Sequence, residues 1–178
     1  EFRRVLFRSG GMALAFAGVA YLWFTVPDVR PLKTTVPSTT AFMDLRAREA
    51  KDAGKPVRKV QRWIPYGRIS PLLVRAVLVS EDAAFWSHNG IDYDDLKAAI
   101  ETSIEKGQPM RGASTITQQL AKNLFLSSER SFTRKLKELF LSFWLEARFS
   151  KREILKLYFD RAYMGGGAFG VEAAAQFY

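Results

Sequence analysis

The sequence predicts a mainly α-helical domain behind an N-terminal transmembrane helix. From Ser70 onward, apolar residues recur at helical spacing, and the segments that carry them begin at helix-capping residues. Residues 10–26 form an uncharged apolar run. At about 1.5 Å per residue, that run has the shortest length that crosses a bilayer. The length of 178 residues allows one domain with a sizeable core.

The N-terminal run is interpreted as a retained anchor, because no clear signal-peptidase site follows it. Three arginines within residues 1–9 would place the N-terminus in the cytoplasm and the remaining chain outside. Residues 1–9 also look like translated adapter sequence, so we expect them to be non-native. The alternative is a buried helix of a water-soluble protein. At the other end, the chain stops inside an apolar helical pattern, so we expect the domain to be C-terminally truncated.

The charge and the cysteine and histidine counts limit the kinds of partner and active site that the protein could have. With 27 Lys and Arg against 18 Asp and Glu, the formal net charge is +9, which favours an anionic partner such as nucleic acid, an acidic membrane or a phosphate-bearing substrate. The absence of cysteine excludes disulfides, thiol catalysis and thiolate metal sites. A single histidine argues against a His-rich metal centre and against a serine–histidine triad.

Between the anchor and the helical part, residues 27–56 are predicted to be a juxtamembrane linker, because residues 27–40 are rich in Pro and Thr. A short helix is predicted over 40–51. The globular domain is assigned to residues 57–178, and alternation over 57–64 weakly predicts a strand.

Capping residues predict where the remaining helices begin. The predicted starts are Ser70 before Pro71, Asp92, Thr115 with Gln118 as a capping box, Ser131, Ser150 with Glu153 as a second box, and Val171 after a glycine run. In the helix after Ser131, the spacing places Leu136, Leu139, Phe140 and Phe143 on one apolar face.

Glu81 and Asp82 stand in an otherwise apolar helical stretch. Acids in that setting are expected to be partly desolvated, which would make a carboxylate a better proton acceptor near neutral pH. The alternative is that both are ordinary solvent-facing residues.

A second candidate segment opens the helix after Thr115. Ser114 and Thr115 stand at its start, where free backbone N–H groups favour an anion. Gln118 and Gln119 follow, and Lys122 lies on the next turn. Capping alone would explain the two hydroxyl residues but not the paired amides and the lysine.

A third candidate segment carries clustered cations. Arg130, Arg134 and Lys135 precede Glu138 within residues 129–138. Guanidinium groups match phosphate oxygens, so the arginines are candidates for gripping phosphate. The alternative is a surface ion pair between Arg134 and Glu138, one turn apart.

Together the three segments resemble known motifs. Residues 81–92, EDAAFWSHNGID, resemble the EDxxFxxHxGxD signature of the family 51 peptidoglycan glycosyltransferases. Residues 112–123 resemble that family's second motif and residues 134–138 its third. Residues 151–158 and 170–175 resemble the fourth and fifth. The five motifs occur in the family's order across residues 62–178, although Asp160 replaces the family's usual Asn.

The resemblance implies a lysozyme-like helical fold and the polymerisation of lipid II into glycan strands, with release of undecaprenyl pyrophosphate. It implies that Glu81 is the general base and Glu138 the second essential acid, while His88 is structural. Residues implied to bind substrate around the pyrophosphate are Asp82, Ser114, Thr115, Gln118, Gln119, Lys122, Arg130, Arg134 and Lys135. No obligatory cofactor or protein-bound metal is expected, and any divalent cation would accompany the pyrophosphate.

The resemblance also implies a setting and partners. The protein would act on the extracytoplasmic side of the bacterial inner membrane, with lipid II and the growing strand as substrates, in a cell-wall synthesis complex. A lytic transglycosylase or lysozyme-like hydrolase is the enzymatic alternative. A membrane-anchored binding module, including a nucleic-acid binder, is the other, but the aromatic residues fall mainly on apolar helical faces. Monofunctional enzymes and penicillin-binding proteins are not separated by these motifs.

Overall fold

The computed structural model is mainly helical, as the sequence predicts. It describes residues 2–35, 37–109, 112–126, 128–129 and 131–178. The α-helices within these residues are α1 (Phe2–Thr25), α2 (Ala41–Asp52), α3 (Pro71–Glu81), α4 (Tyr93–Lys106), α5 (Ile116–Phe125), α6 (Phe132–Arg148), α7 (Lys151–Arg161) and α8 (Val171–Phe177).

Helix α5 lies at the centre of the domain and packs against α2, α6 and α7. Its apolar side chains are buried, as are those that α6 and α7 turn toward the same core. The fully buried members are Ile116, Leu120, Leu141, Leu145, Ile154 and Leu155. The hydroxyl residues of the second candidate segment directly precede α5 and its amides lie on α5, so this packing fixes their positions beside the core.

Most predicted helix starts agree with the local capping chemistry, although Ser70 makes no side-chain capping bond at the start of α3. Asp92 accepts hydrogen bonds from the backbone at the start of α4, and Ser131 caps α6. The capping box of Ser150 and Glu153 at α7 is complete. The predicted box at α5 is only half formed, because Thr115 caps the helix while the Gln118 side chain bonds elsewhere.

A small three-stranded sheet stands beside the helices. It consists of β1 (Val60–Gln61), β2 (Tyr163–Gly165) and β3 (Ala168–Phe169), in the order β1-β3-β2. Strand β3 is parallel to β1 and antiparallel to β2. The predicted strand over 57–64 is therefore confirmed in only two residues, and the β2–β3 hairpin was not predicted from the sequence. Its turn depends on glycine: Gly167 has φ 80°, and a Cβ there would meet the Arg58 carbonyl oxygen at 2.7 Å.

Part of the predicted linker belongs to the folded domain. Within 27–56, Val29 and Leu32 are buried in the core, and α2 packs on α5 with Met43 1% exposed. The short helix predicted over 40–51 is confirmed. It packs on α5 because it presents the apolar side chain of Met43, which is buried.

The predicted anchor over 10–26 lies mostly within α1. Near the end of α1, Trp23 stacks on Trp144 of α6, with ring centroids 5.6 Å apart. Among the residues that the structure describes, none of the helices is both long and apolar enough to span a membrane.

The apolar face of α6 is only partly buried. The residues that α6 buries fully are Glu138, Leu141, Ser142 and Leu145. Phe140 packs against the core, whereas Leu136 and Phe143 are exposed. Glu138 can be buried because it is paired with two cations.

Candidate active site

Glu81 ends α3 and stands at an open cavity. The cavity, of about 250 Å³, is lined by the end of α3, the start of α4 and residues just before α5. The Glu81 side chain is exposed, so the expected desolvation of this acid is wrong. Its Oε2 accepts a hydrogen bond of 2.9 Å from Nε2 of Gln119. An exposed carboxylate held by one amide can meet a substrate hydroxyl in the cavity.

Asp82 has the opposite environment, because its side chain is 1% exposed. Its Oδ1 lies 2.8 Å from Nε2 of His88, and its Oδ2 accepts from the backbone N–H of Ile116 at 2.9 Å. The backbone N–H of Gly90 donates to Nδ1 of His88, so the ring proton points to Asp82 from Nε2. The structural role expected of His88 agrees with this geometry. Asp82 joins the loop after α3 to the first turn of α5.

The carbonyl oxygen of Gly90 forms a second contact between α5 and the loop that follows α3. It accepts hydrogen bonds from Oγ1 of Thr115 at 2.8 Å and from Nε2 of Gln118 at 3.2 Å. Both side chains are buried. They shape the cleft by fixing the loop next to Glu81.

Glu138 is the centre of a second cluster. Its side chain is 4% exposed, and its two oxygens accept from Arg134 and from Nζ of Lys135, the latter at 2.6 Å. Lys135 also donates to Oγ of Ser114 at 3.2 Å and to Oε1 of Gln118 at 3.0 Å. The carboxylate thus holds two cations beside the start of α5.

The structure therefore brings both acids to the same helix start. Gln119 contacts Glu81, and its neighbour Gln118 accepts from Lys135, one of the two cations that pair with Glu138. Lys122 is half-buried one turn further along α5. Arg130 lies outside the described residues.

Sequence reasoning missed one residue that contacts this site. Tyr158 of α7 donates its hydroxyl proton to Oε1 of Gln119 at 3.2 Å. Burial, together with the negative charge of Glu81, raises the pKa of Tyr158 to about 12. The only signal was that Tyr158 ends the fourth motif-like segment, which carried no assigned role.

A second missed group is a buried ion pair behind the site. Glu146 of α6 accepts from Thr117 of α5 at 2.6 Å and from Lys151 of α7 at 2.7 Å. The Lys151 ammonium also lies 4.4 Å from the ring centroid of Phe85. This pair connects three helices to the loop that carries His88, and nothing in the sequence pattern distinguished Glu146 from a surface acid.

Comparison with known proteins places these residues within a matched region. A family model described as transglycosylase matches residues 49–178. A biosynthetic peptidoglycan transglycosylase of Alcanivorax borkumensis is 42% identical over 99% of this chain and 69% of its own length. Proteins of the same name are 45% identical in Laribacter hongkongensis, over 80% of this chain and 62% of that protein, and 42% identical in an Azoarcus species, over 98% and 77%. The chain thus spans roughly two thirds of the length of these relatives.

Proposed function

Because this chain belongs to the transglycosylase family of peptidoglycan glycosyltransferases, we propose that it polymerises lipid II into glycan strands and releases undecaprenyl pyrophosphate. The observation that carries the proposal is the exposed carboxylate of Glu81 on one side of the α5 start, with the Arg134 and Lys135 cations on the other.

Glu81 acts as the general base in this proposal. A sugar hydroxyl is a weak nucleophile until its proton is removed in the transition state, and a positioned base contributes about 10²–10⁴-fold to such a step. The exposed Glu81 carboxylate faces the cavity that would receive the acceptor sugar. Gln119 fixes one carboxylate oxygen and leaves the other to take the proton.

The cation cluster stabilises the leaving group. As the acceptor oxygen bonds to the anomeric carbon of the donor, the bond from that carbon to the phosphate oxygen breaks, and the pyrophosphate leaves with the electron pair. Its growing negative charge needs cations rather than a strong acid. Arg134 and Lys135 supply that charge, and Lys122 and Arg130 are proposed to join them. A single displacement of this kind inverts the anomeric carbon.

Glu138 contributes by placing cations. Its buried carboxylate accepts from Arg134 and Lys135, so both of its oxygens are already occupied by donors. A charge held in place before the reaction costs no reorganisation during it. We therefore assign Glu138 to the orientation of the cluster.

The proposed setting follows from the substrate. Lipid II is held in a bilayer by its polyprenyl chain, so we propose that the enzyme acts at the extracytoplasmic face of the bacterial inner membrane, within a cell-wall synthesis complex. The net charge of +9 favours an anionic membrane surface. Nucleic acid is not proposed as a partner.

The experiment that tests the proposed function distinguishes polymerisation of glycan strands from cleavage of existing cell wall. The purified protein is given lipid II in one reaction and purified cell-wall sacculi in another. We expect glycan strands on a gel from the first and no solubilised material from the second. Release of soluble fragments from sacculi without polymer from lipid II would overturn the proposal in favour of a lytic transglycosylase or lysozyme-like hydrolase.

A further inference from the structure

Tyr158 lies behind the candidate base, on the far side of Gln119. The hydroxyl of Tyr158 is 3.2 Å from Oε1 of Gln119, and Nε2 of the same amide is 2.9 Å from Oε2 of Glu81. Nε2 also faces the carbonyl oxygen of Ser114 at 3.4 Å. Three helices, α7, α5 and α3, thus contribute one residue each to a continuous line of hydrogen bonds.

The orientation of the Gln119 amide depends on the groups at both of its ends. Glu81 and the Ser114 carbonyl oxygen accept from Nε2, and the Tyr158 hydroxyl donates to Oε1. An amide presents two acceptor sites at its oxygen and two donor hydrogens at its nitrogen. If the Gln119 amide turned over, its oxygen would face the Glu81 carboxylate, and two acceptors would repel each other. A hydroxyl proton directed at Oε1 favours the orientation in which the NH2 group meets Glu81.

Tyr158 is suited to keep that proton. Its side chain is buried at 5% exposure, and its pKa is raised to about 12 by burial and by the charge of Glu81. The phenol therefore remains neutral across the pH range in which cells grow. Its hydroxyl proton therefore stays available for donation to Gln119.

We propose that Tyr158 is a positioning residue for the reaction: it fixes the amide orientation of Gln119, which in turn holds the Glu81 carboxylate toward the cavity. The inference rests on the proposed function of Glu81 as base. Tyr158 itself contacts neither the cavity lining nor Glu81 by a hydrogen bond, so its effect passes through Gln119.

A double-mutant cycle tests whether the effect of Tyr158 on catalysis depends on Gln119. Tyr158→Phe removes only the hydroxyl, and we expect kcat with lipid II to fall about 3- to 10-fold, the amount that one hydrogen bond supplies, with KM unchanged. Gln119→Met removes the amide that transmits the effect. In the Gln119→Met background, Tyr158→Phe should change kcat no further. The matched control is Tyr66→Phe, because Tyr66 also packs on Phe159 and lies apart from the cavity.

Equal losses of kcat from Tyr158→Phe in both backgrounds would overturn the proposal, since a general structural effect does not depend on Gln119. Unchanged kcat in Tyr158→Phe would overturn it too. Thermal unfolding of each variant shows whether any loss comes from misfolding.

A second measurement does not need activity, so failure of this inference is distinguishable from failure of the proposed function. In protein labelled with ¹⁵N-glutamine, the side-chain NH2 signals of Gln119 are assigned by their loss in Gln119→Met. We expect one amide proton to be shifted downfield by its bond to Glu81, and to move toward the free glutamine position in both Tyr158→Phe and Glu81→Gln. A Gln119 signal that Tyr158→Phe leaves in place would contradict the inference even if lipid II is polymerised.

Discussion

Gln118 and Gln119 are neighbours in the first turn of α5, yet their side chains serve two different charge clusters. Nε2 of Gln119 lies 2.9 Å from Oε2 of Glu81, whereas Oε1 of Gln118 lies 3.0 Å from Nζ of Lys135. Consecutive side chains on a helix point about 100° apart, so one helix start can place side chains on both sides of a cleft. The paired amides thus connect the candidate base to the candidate pyrophosphate cations.

Glu138→Gln should destabilise the fold and abolish activity. The amide cannot neutralise Arg134 and Lys135, which would then repel each other beside a buried group. Because Arg134 and Lys135 are partly exposed, removing their buried partner should cost about 1 to 3 kcal/mol, and urea unfolding measures the change. The matched control is Glu101→Gln, which breaks the exposed ion pair with Lys97 and should change stability by less than about 0.5 kcal/mol. Equal stability of the two variants would contradict the burial argument.

The buried pair behind the site should show coupling. Glu146→Gln and Lys151→Gln each leave a poorly satisfied charge in a setting where both partners are largely buried. The double variant removes both charges, so we expect it to lose less stability than the sum of the single losses, by about 1 to 3 kcal/mol. Urea unfolding of the four proteins gives the coupling energy. Additive losses would mean that the 2.7 Å contact does not stabilise the fold.

Asp160 predicts a pH dependence of stability. Burial raises the pKa of the Asp160 carboxyl, although the nearby Arg161 charge opposes the rise. The folded state therefore binds the proton more tightly than the unfolded state, and the stability this gives is lost as the pH rises above about 3.9, where an unfolded Asp ionises. Relative to Asp160→Asn, the native protein should become less stable as the pH increases from that value to neutrality.

Urea unfolding of both proteins across this pH range measures the difference. Asp52→Asn, at the exposed end of α2, is the control for replacing an aspartate that is not buried. A difference that is constant for Asp160→Asn, or that grows in favour of the native protein, would contradict the effect of burial. The side-chain Oδ1 of Asp160 has no hydrogen-bond partner among the described residues, which agrees with a charge that is poorly compensated.

Local chemistry explains what could be predicted from the sequence. Asp92, Ser131 and Ser150 begin their helices because their side chains bond backbone groups only two or three residues away. The motifs also singled out Glu81 and Glu138 as candidates, since their spacing is visible along the chain. Neither inference needs knowledge of which helices pack together.

Long-range packing explains what could not be predicted. The exposure of Glu81 and the burial of Asp82 depend on the contact of Asp82 with Ile116, 34 residues later. The role of Tyr158 depends on Gln119, 39 residues earlier. Hydrophobic periodicity could not show the burial of Glu138, because it assigns a charged residue to the solvent face even where two cations pair with it.

The most direct test of the account is the rate of glycan polymerisation from lipid II by Glu81→Gln, measured beside the native protein and Glu49→Gln, an exposed glutamate on α2. Glutamine keeps the size of the side chain but cannot take a proton from the acceptor hydroxyl. We expect the rate to fall by about 10²–10⁴-fold in Glu81→Gln and to stay at the native value in Glu49→Gln. Polymerisation by Glu81→Gln at the native rate would contradict the assignment of Glu81 as the base.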